Sequence, residues 1–168
     1  MNMRLITIFT LVFSAYCVNG QTLSLDDIFH IRTLDSLELS KFGQEKGFDL
    51  KEVEMDIWGS IHKYYSADSS IKFERNFPSG RKLFAQDTTT RDNRTVYYHF
   101  TNKETLKEFK EKMKEKGFKF KRTDTKDYGG NRFTHNIYLT KENEIDLASE
   151  KLIGQKLKYT LIYYRRMN

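Results

Sequence analysis

From Thr101 to Lys116 the chain reads TNKETLKEFKEKMKEK, in which Leu106, Phe109 and Met113 recur at helical spacing and nearly every other position is polar or charged. A narrow apolar stripe on a solvated cylinder predicts an amphipathic helix. The pair Thr101 and Glu104 reads as a capping box that starts it, and Gly117, free to take a left-handed conformation, ends it. The period then changes. Phe118, Phe120 and Arg122 alternate with Lys119 and Lys121, the pattern of a half-buried strand.

The tetrapeptide at this junction, Glu115-Lys116-Gly117-Phe118, also stands 70 positions earlier as Glu45-Lys46-Gly47-Phe48. The surroundings share its grammar. Asp35 and Glu38 make a second capping-box pair, Leu34, Leu37, Leu39 and Phe42 form a looser apolar face, and Gly47 closes the helix before Phe48-Asp49-Leu50. Ser24 and Asp27 predict a further short helix over 24–31.

Alternating or aromatic-rich runs follow each junction. In the first half they fall at 61–65, 71–77, 81–86 and 95–101, and in the second at 133–140, 144–147 and 157–165. Pro78-Ser79-Gly80 and Tyr128-Gly129-Gly130-Asn131 read as tight turns, and 87–93 as a polar loop. The expected fold is therefore α+β: two tandem helix-plus-antiparallel-strand repeats, about 33–101 and 102–168, forming one domain over 21–168 with helices on one face of a sheet.

Alternation then assigns faces. The helix side receives Val96, Tyr98, Phe100, Phe118, Phe120, Phe133, Ile137, Leu139, Leu157, Tyr159, Leu161 and Tyr163, with His135 as a hydrogen-bonded core residue. The opposite side carries Tyr97, His99, Lys119, Lys121, Arg132, Asn136, Tyr138, Lys158 and Tyr164. Tyrosines among lysines make an adhesive wall, because the rings bury area while their hydroxyls stay hydrogen-bonded.

The N-terminus adds a location. MNMRLITIFTLVFSAYCVNG has an early Arg4, a short apolar run and a small residue before Gln21, the layout of a secretory signal peptide over 1–20. Its Cys17 is the sole cysteine, so a chain cleaved near Gly20 has no thiol and relies on its apolar core rather than on disulfides. Charge is lopsided: 11 Lys and Arg against 13 Asp and Glu over 21–100, and 17 against 10 over 101–168. Positive potential belongs to the second half.

Motif chemistry is sparse. His30, His62, His99 and His135 stand singly, without the short spacings that clamp a metal, and no nucleophile elbow, phosphate loop, dinucleotide fingerprint or calcium loop occurs. Neither a cofactor nor catalysis is expected. Asp87 with Asp92, and Asp124 with Asp127, sit in turn-rich stretches where aspartate caps the backbone, and Asn93-Arg94-Thr95 fits a glycosylation acceptor. The Lys-rich helix is interleaved with Glu104, Glu108, Glu111 and Glu115, which reads as a solvated face and sets nucleic acid aside.

A leader ending in Gly20 before Gln21, followed by a small chain rich in Lys, Tyr and Phe without cysteine, resembles the small secreted proteins of the Bacteroidetes type. The resemblance implies a periplasmic or extracellular location and brings no catalytic residues. In architecture, tandem helix-plus-sheet units are similar to the beta-lactamase inhibitor proteins, whose sheet face grips an enzyme, although those carry disulfides. The expected function is a non-catalytic binding module of the cell envelope, of an inhibitor or immunity type, meeting a protein partner through its open sheet face. Two alternatives stay beside it: an exported hydrolase whose site shows no motif, and a binder of anionic polysaccharide using Lys119, Lys121, Arg132 and Lys158.

Overall fold

The computed structural model describes residues 22–56, 59–78 and 94–166. The leader, the turn residues Ser79-Gly80, the strand expected at 81–86, the loop at 87–93 and Asn93 of the acceptor motif lie outside the described residues.

Helix α1 (Leu25–Ile31) starts at Ser24, whose hydroxyl accepts from the Asp27 amide at 3.1 Å while the Asp27 carboxylate accepts from the Ser24 amide at 2.8 Å. Helix α2 (Ser36–Glu45) starts the same way at Asp35 and Glu38. Helix α3 (Lys103–Glu115) starts one residue later than expected. Asn102, rather than Thr101, is its cap and accepts from the Glu104 amide at 2.8 Å. A short amide side chain in extended backbone satisfies an orphan N–H as well as a hydroxyl does, and the box pattern alone does not separate the two positions.

Both repeated tetrapeptides end a helix. Gly47 has φ +79° and Gly117 φ +78°, the left-handed region that costs other residues about 1 kcal/mol or more. Phe48 and Phe118 follow and are buried. Their lysines act alike as well. Lys46 ion-pairs with Asp27 at 2.9 Å and Lys116 with Asp26 at 2.5 Å, so the C-terminal ends of α2 and α3 both reach the first turn of α1.

Among the described residues eight strands form one open antiparallel sheet: β1 (Phe48–Asp56), β2 (Gly59–Ser66), β3 (Lys72–Pro78), β4 (Val96–Phe100), β5 (Lys119–Tyr128), β6 (Asn131–Leu139), β7 (Asn143–Lys151) and β8 (Lys158–Arg165). Their order is β1-β2-β3-β4-β8-β7-β6-β5. β4 and β8 therefore meet in the middle, and β1 and β5 are the two edges. A bulge interrupts β1 at Lys51 and β5 at Lys121. The fold class is α+β, as expected.

The three helices of the described residues pack on one side. Gly43 of α2 lies against the Tyr64 ring, Phe29 of α1 packs at a tilt with its ring centre 4.6 Å from that of Tyr163, and Phe109 of α3 meets Tyr98 and Phe100 edge-on. The core beneath them joins Leu25, Ile28, Leu39, Phe48, Phe73, Tyr98, Ile145 and Leu161. Tyr98 is anchored further by the Leu23 amide, which donates to its phenol oxygen at 3.2 Å, and burial pushes that phenol up to about 12.

One strand has the reverse of its expected facing. In β6, Tyr138 pairs with Ile145, and Asn136 with Leu147, both of which belong to the helix-side core, while Ile137 pairs with Asp146 on the other face. Tyr138, Asn136 and Arg132 thus face the helix side, whereas Phe133, His135, Ile137 and Leu139 face away from it. The Gly129-Gly130 turn, with φ +56° and +83°, pairs Tyr128 with Asn131 and so locks this register. β6 also lies beyond the main helix layer, and apolar residues on a strand that no helix covers do not dictate which way it faces. Phe120 keeps its expected side but is 58% exposed, touching Tyr138 edge-on at 5.6 Å.

Candidate functional site

The sheet face away from the helices is the candidate site. Among the described residues no helix or strand packs on it. Antiparallel pairing lays its side chains out in rows, since partners in register project to the same side. One row runs Tyr65, Lys72, His99, Thr160, Ala148, His135 from β2 to β6, and the next runs Lys63, Glu74, Tyr97, Ile162, Asp146, Ile137.

Two carboxylate–histidine pairs stand where these rows meet. Glu74 accepts from the Lys72 ammonium at 2.7 Å and lies 3.3 Å from His99 Nε2. That second contact has ion-pair distance without good hydrogen-bond alignment, so it acts through charge when the imidazole is protonated. His99 Nδ1 is 3.0 Å from the Thr160 hydroxyl. The His99 imidazolium first, and the Lys72 ammonium after it, hold the Glu74 carboxyl at about 2, against a burial that pushes it upward. Across β8, His135 Nδ1 lies 2.8 Å from Asp146 Oδ2.

This face is not simply wet. Ile137 is 4% exposed, and Glu144 and Asp146 are each 8% exposed, yet Ile137 is outside the helix-side core. Their neighbours in the rows, Tyr97, Ile162, Leu139 and Tyr164, are themselves partly buried. The result is a firm, amphipathic wall with tyrosine rings and paired charges at its centre.

Of the residues singled out from the sequence, Tyr97, His99, Lys119, Lys158 and Tyr164 lie on this face, with Tyr97, His99, Lys158 and Tyr164 on the central strands β4 and β8. Lys121 occupies the β5 bulge. Arg132, Asn136 and Tyr138 do not join them. Arg132 pairs with Asp127 at 3.0 Å, Asn136 accepts the Thr123 hydroxyl at 2.8 Å, and Tyr138 packs against the core. Glu74, Lys72 and Asp146 were missed, and His135, expected as a hydrogen-bonded core residue of the helix side, is hydrogen-bonded but lies on this face. The alternation in KFERNF carried the signal for the first two, but charged residues in a strand give no hint of which neighbours they will meet.

A separate cleft of about 520 Å³ opens at the far end of β5–β7, lined by Asp127, Arg132, Lys151, Ile153, Gln155 and the glycines between them. No histidine lines it. Among the described residues no three His, Cys, Asp or Glu side chains converge to hold a metal ion, and no helix is long and apolar enough to cross a membrane. Comparison with known proteins gives no match to a family model, to a curated protein or to a solved structure.

Proposed function

We propose that the protein is an exported binding module of the cell envelope, of an inhibitor or immunity type, that grips a protein partner with the sheet face opposite its helices. The observation that carries this reading is the composition of the two central strands on that face. Tyr97 pairs with Ile162, and His99 and Tyr164 flank that pair along β4 and β8, all partly buried, with no described element over them. Rigid tyrosines lose little rotamer freedom on contact, and the flanking ion pairs give a polar rim, which is the anatomy of a protein interface centre.

The same reading takes the fold as two copies of one helix-plus-four-strand unit. The second set of strands continues from β4 in reverse order, the tetrapeptide glycines share one φ, and the bulges at Lys51 and Lys121 are themselves 70 positions apart. Duplication places the two copies' fourth strands at the centre and gives one continuous wall wider than either unit provides. Export near Gly20 would place that wall in the periplasm or outside the cell.

The test replaces Tyr97 and Tyr164 with alanine together and measures recovery of a photo-crosslinked envelope partner. Loss of at least tenfold is expected, with the circular dichroism spectrum unchanged. Tyr138→Ala, on the helix side, should lower stability and leave recovery intact. Equal recovery by the Tyr97/Tyr164 variant and the parent would sink the reading. A hydrolase reading would need a histidine beside a carboxylate in an enclosed site, whereas both pairs described above lie on the sheet surface.

A further inference from the structure

The two edges of the sheet differ from each other in a way that the binding face does not explain. Every residue from 49 to 55 on β1 and from 119 to 127 on β5 is exposed, so both edge ladders face solvent along most of their length. Of the six large apolar side chains most exposed in the described chain, four lie on these edges: Leu50, Val53 and Met55 on β1, and Phe120 on β5. All four face the helix side.

The charges are opposite. β1 holds Asp49, Glu52 and Glu54 against Lys51, whereas β5 holds Lys119, Lys121, Arg122 and Lys126 against Asp124 and Asp127. Lys63 on the neighbouring strand touches Glu52 and Glu54, but both acids stay about half exposed. Direction also matches. With eight strands alternating in direction, β1 and β5 run opposite ways, so a second copy set beside the first continues the antiparallel sheet with its helices on the same side.

We propose that a second copy of this chain docks edge to edge, β5 of one molecule against β1 of the next. Pairing β1 with β1, or β5 with β5, would set like charges opposite each other and is disfavoured. The bulges at Lys51 and Lys121 deter indiscriminate strand addition, and they narrow the register. Residues 52–56 set antiparallel to 122–126 leave one bulge outside each end of the pairing. That register puts Glu52 opposite Lys126 on one face, where its one like-charge pair is Glu54 opposite Asp124, an aspartate that Arg122 already pairs at 2.8 Å, and Val53 opposite Thr125 on the other, with Met55 and Phe120 closing the apolar side. The contact is heterologous, so it adds copies without closing at a dimer.

Sedimentation of the exported protein at low salt is expected to show a mass that climbs with concentration past the dimer and falls back at high salt. Glu52→Lys alone and Lys126→Glu alone should each weaken association at least fivefold, and an equimolar mixture of the two should recover it. Cysteines give a second reading, since cleavage near Gly20 leaves the exported chain without Cys17. Mixed Val53→Cys and Thr125→Cys proteins should form mutual disulfides, and neither should form them alone, because only facing positions come within disulfide reach. A monomer at every concentration, charge variants with unaltered association, or Val53→Cys self-crosslinks from a two-fold β1 pairing would each overturn the proposal. Because Tyr97 and Tyr164 lie on the central strands, their alanine variants should associate normally, which separates this test from that of the binding face.

Discussion

Gly43 shows how one residue's size decides a packing. It sits inside α2, where alanine is ordinarily favoured by about 1 kcal/mol. Here a Cβ would come within 2.9 Å of the Tyr64 ring, which is buried and stacked 4.6 Å from Phe73, so the ring has nowhere to go. Gly43→Ala is expected to destabilise by about 1–2 kcal/mol net, read as a lower midpoint in urea unfolding. Glu74 is the corresponding electrostatic case. Its folded carboxyl sits at about 2 rather than 4.5, so it adds stability above its unfolded value, and that stability is lost as pH falls from about 4.5 through 2. The linked free energy is up to about 3 kcal/mol, and it should vanish in Glu74→Gln, leaving a flatter stability curve over that window in acid titration of unfolding.

At the scale of elements, α1 is the piece that the sequence undersold. Read alone, 24–31 is a short capped helix of no evident importance. In the structure Leu25, Ile28 and Ile31 are fully buried, Phe29 packs against the Tyr163 ring, and the lysines of both repeated tetrapeptides reach its first turn. Those ion pairs are partly exposed and worth less than about 1 kcal/mol each, whereas Ile28 buries a whole side chain. Ile28→Ala is therefore expected to cost about 2–4 kcal/mol, and Lys46→Met with Lys116→Met together under about 1–2 kcal/mol, both measured by denaturant unfolding. Strong local signals were legible: caps at Ser24 and Asp35, glycine stops at Gly47 and Gly117, the turn at Gly129-Gly130. Strand facing was legible where burial on one side was overwhelming, as in β4 and β8. It failed in β6, where the apolar and polar sets are nearly balanced and pairing with β7 settles the outcome.

For the whole molecule, the sequence determined what short-range physics controls. Helix periodicity, capping and left-handed glycines act within a few residues, so they could be read without knowing any neighbour, and the α+β class followed. Only the tertiary structure decided that β4 and β8 lie side by side, and with it every row of the candidate face. Tyr97 and His99 were legible as members of that face because β4 alternates cleanly, but Glu74, Asp146 and His135 gained their partners from strands distant in sequence. The two edges were likewise invisible beforehand, since a strand becomes an edge only by what fails to pair with it. Long-range pairing is a choice among whole arrangements, made by the summed burial of a core such as Phe73, Tyr98, Leu161 and Leu147 in one line across the sheet, and no single segment carries that sum.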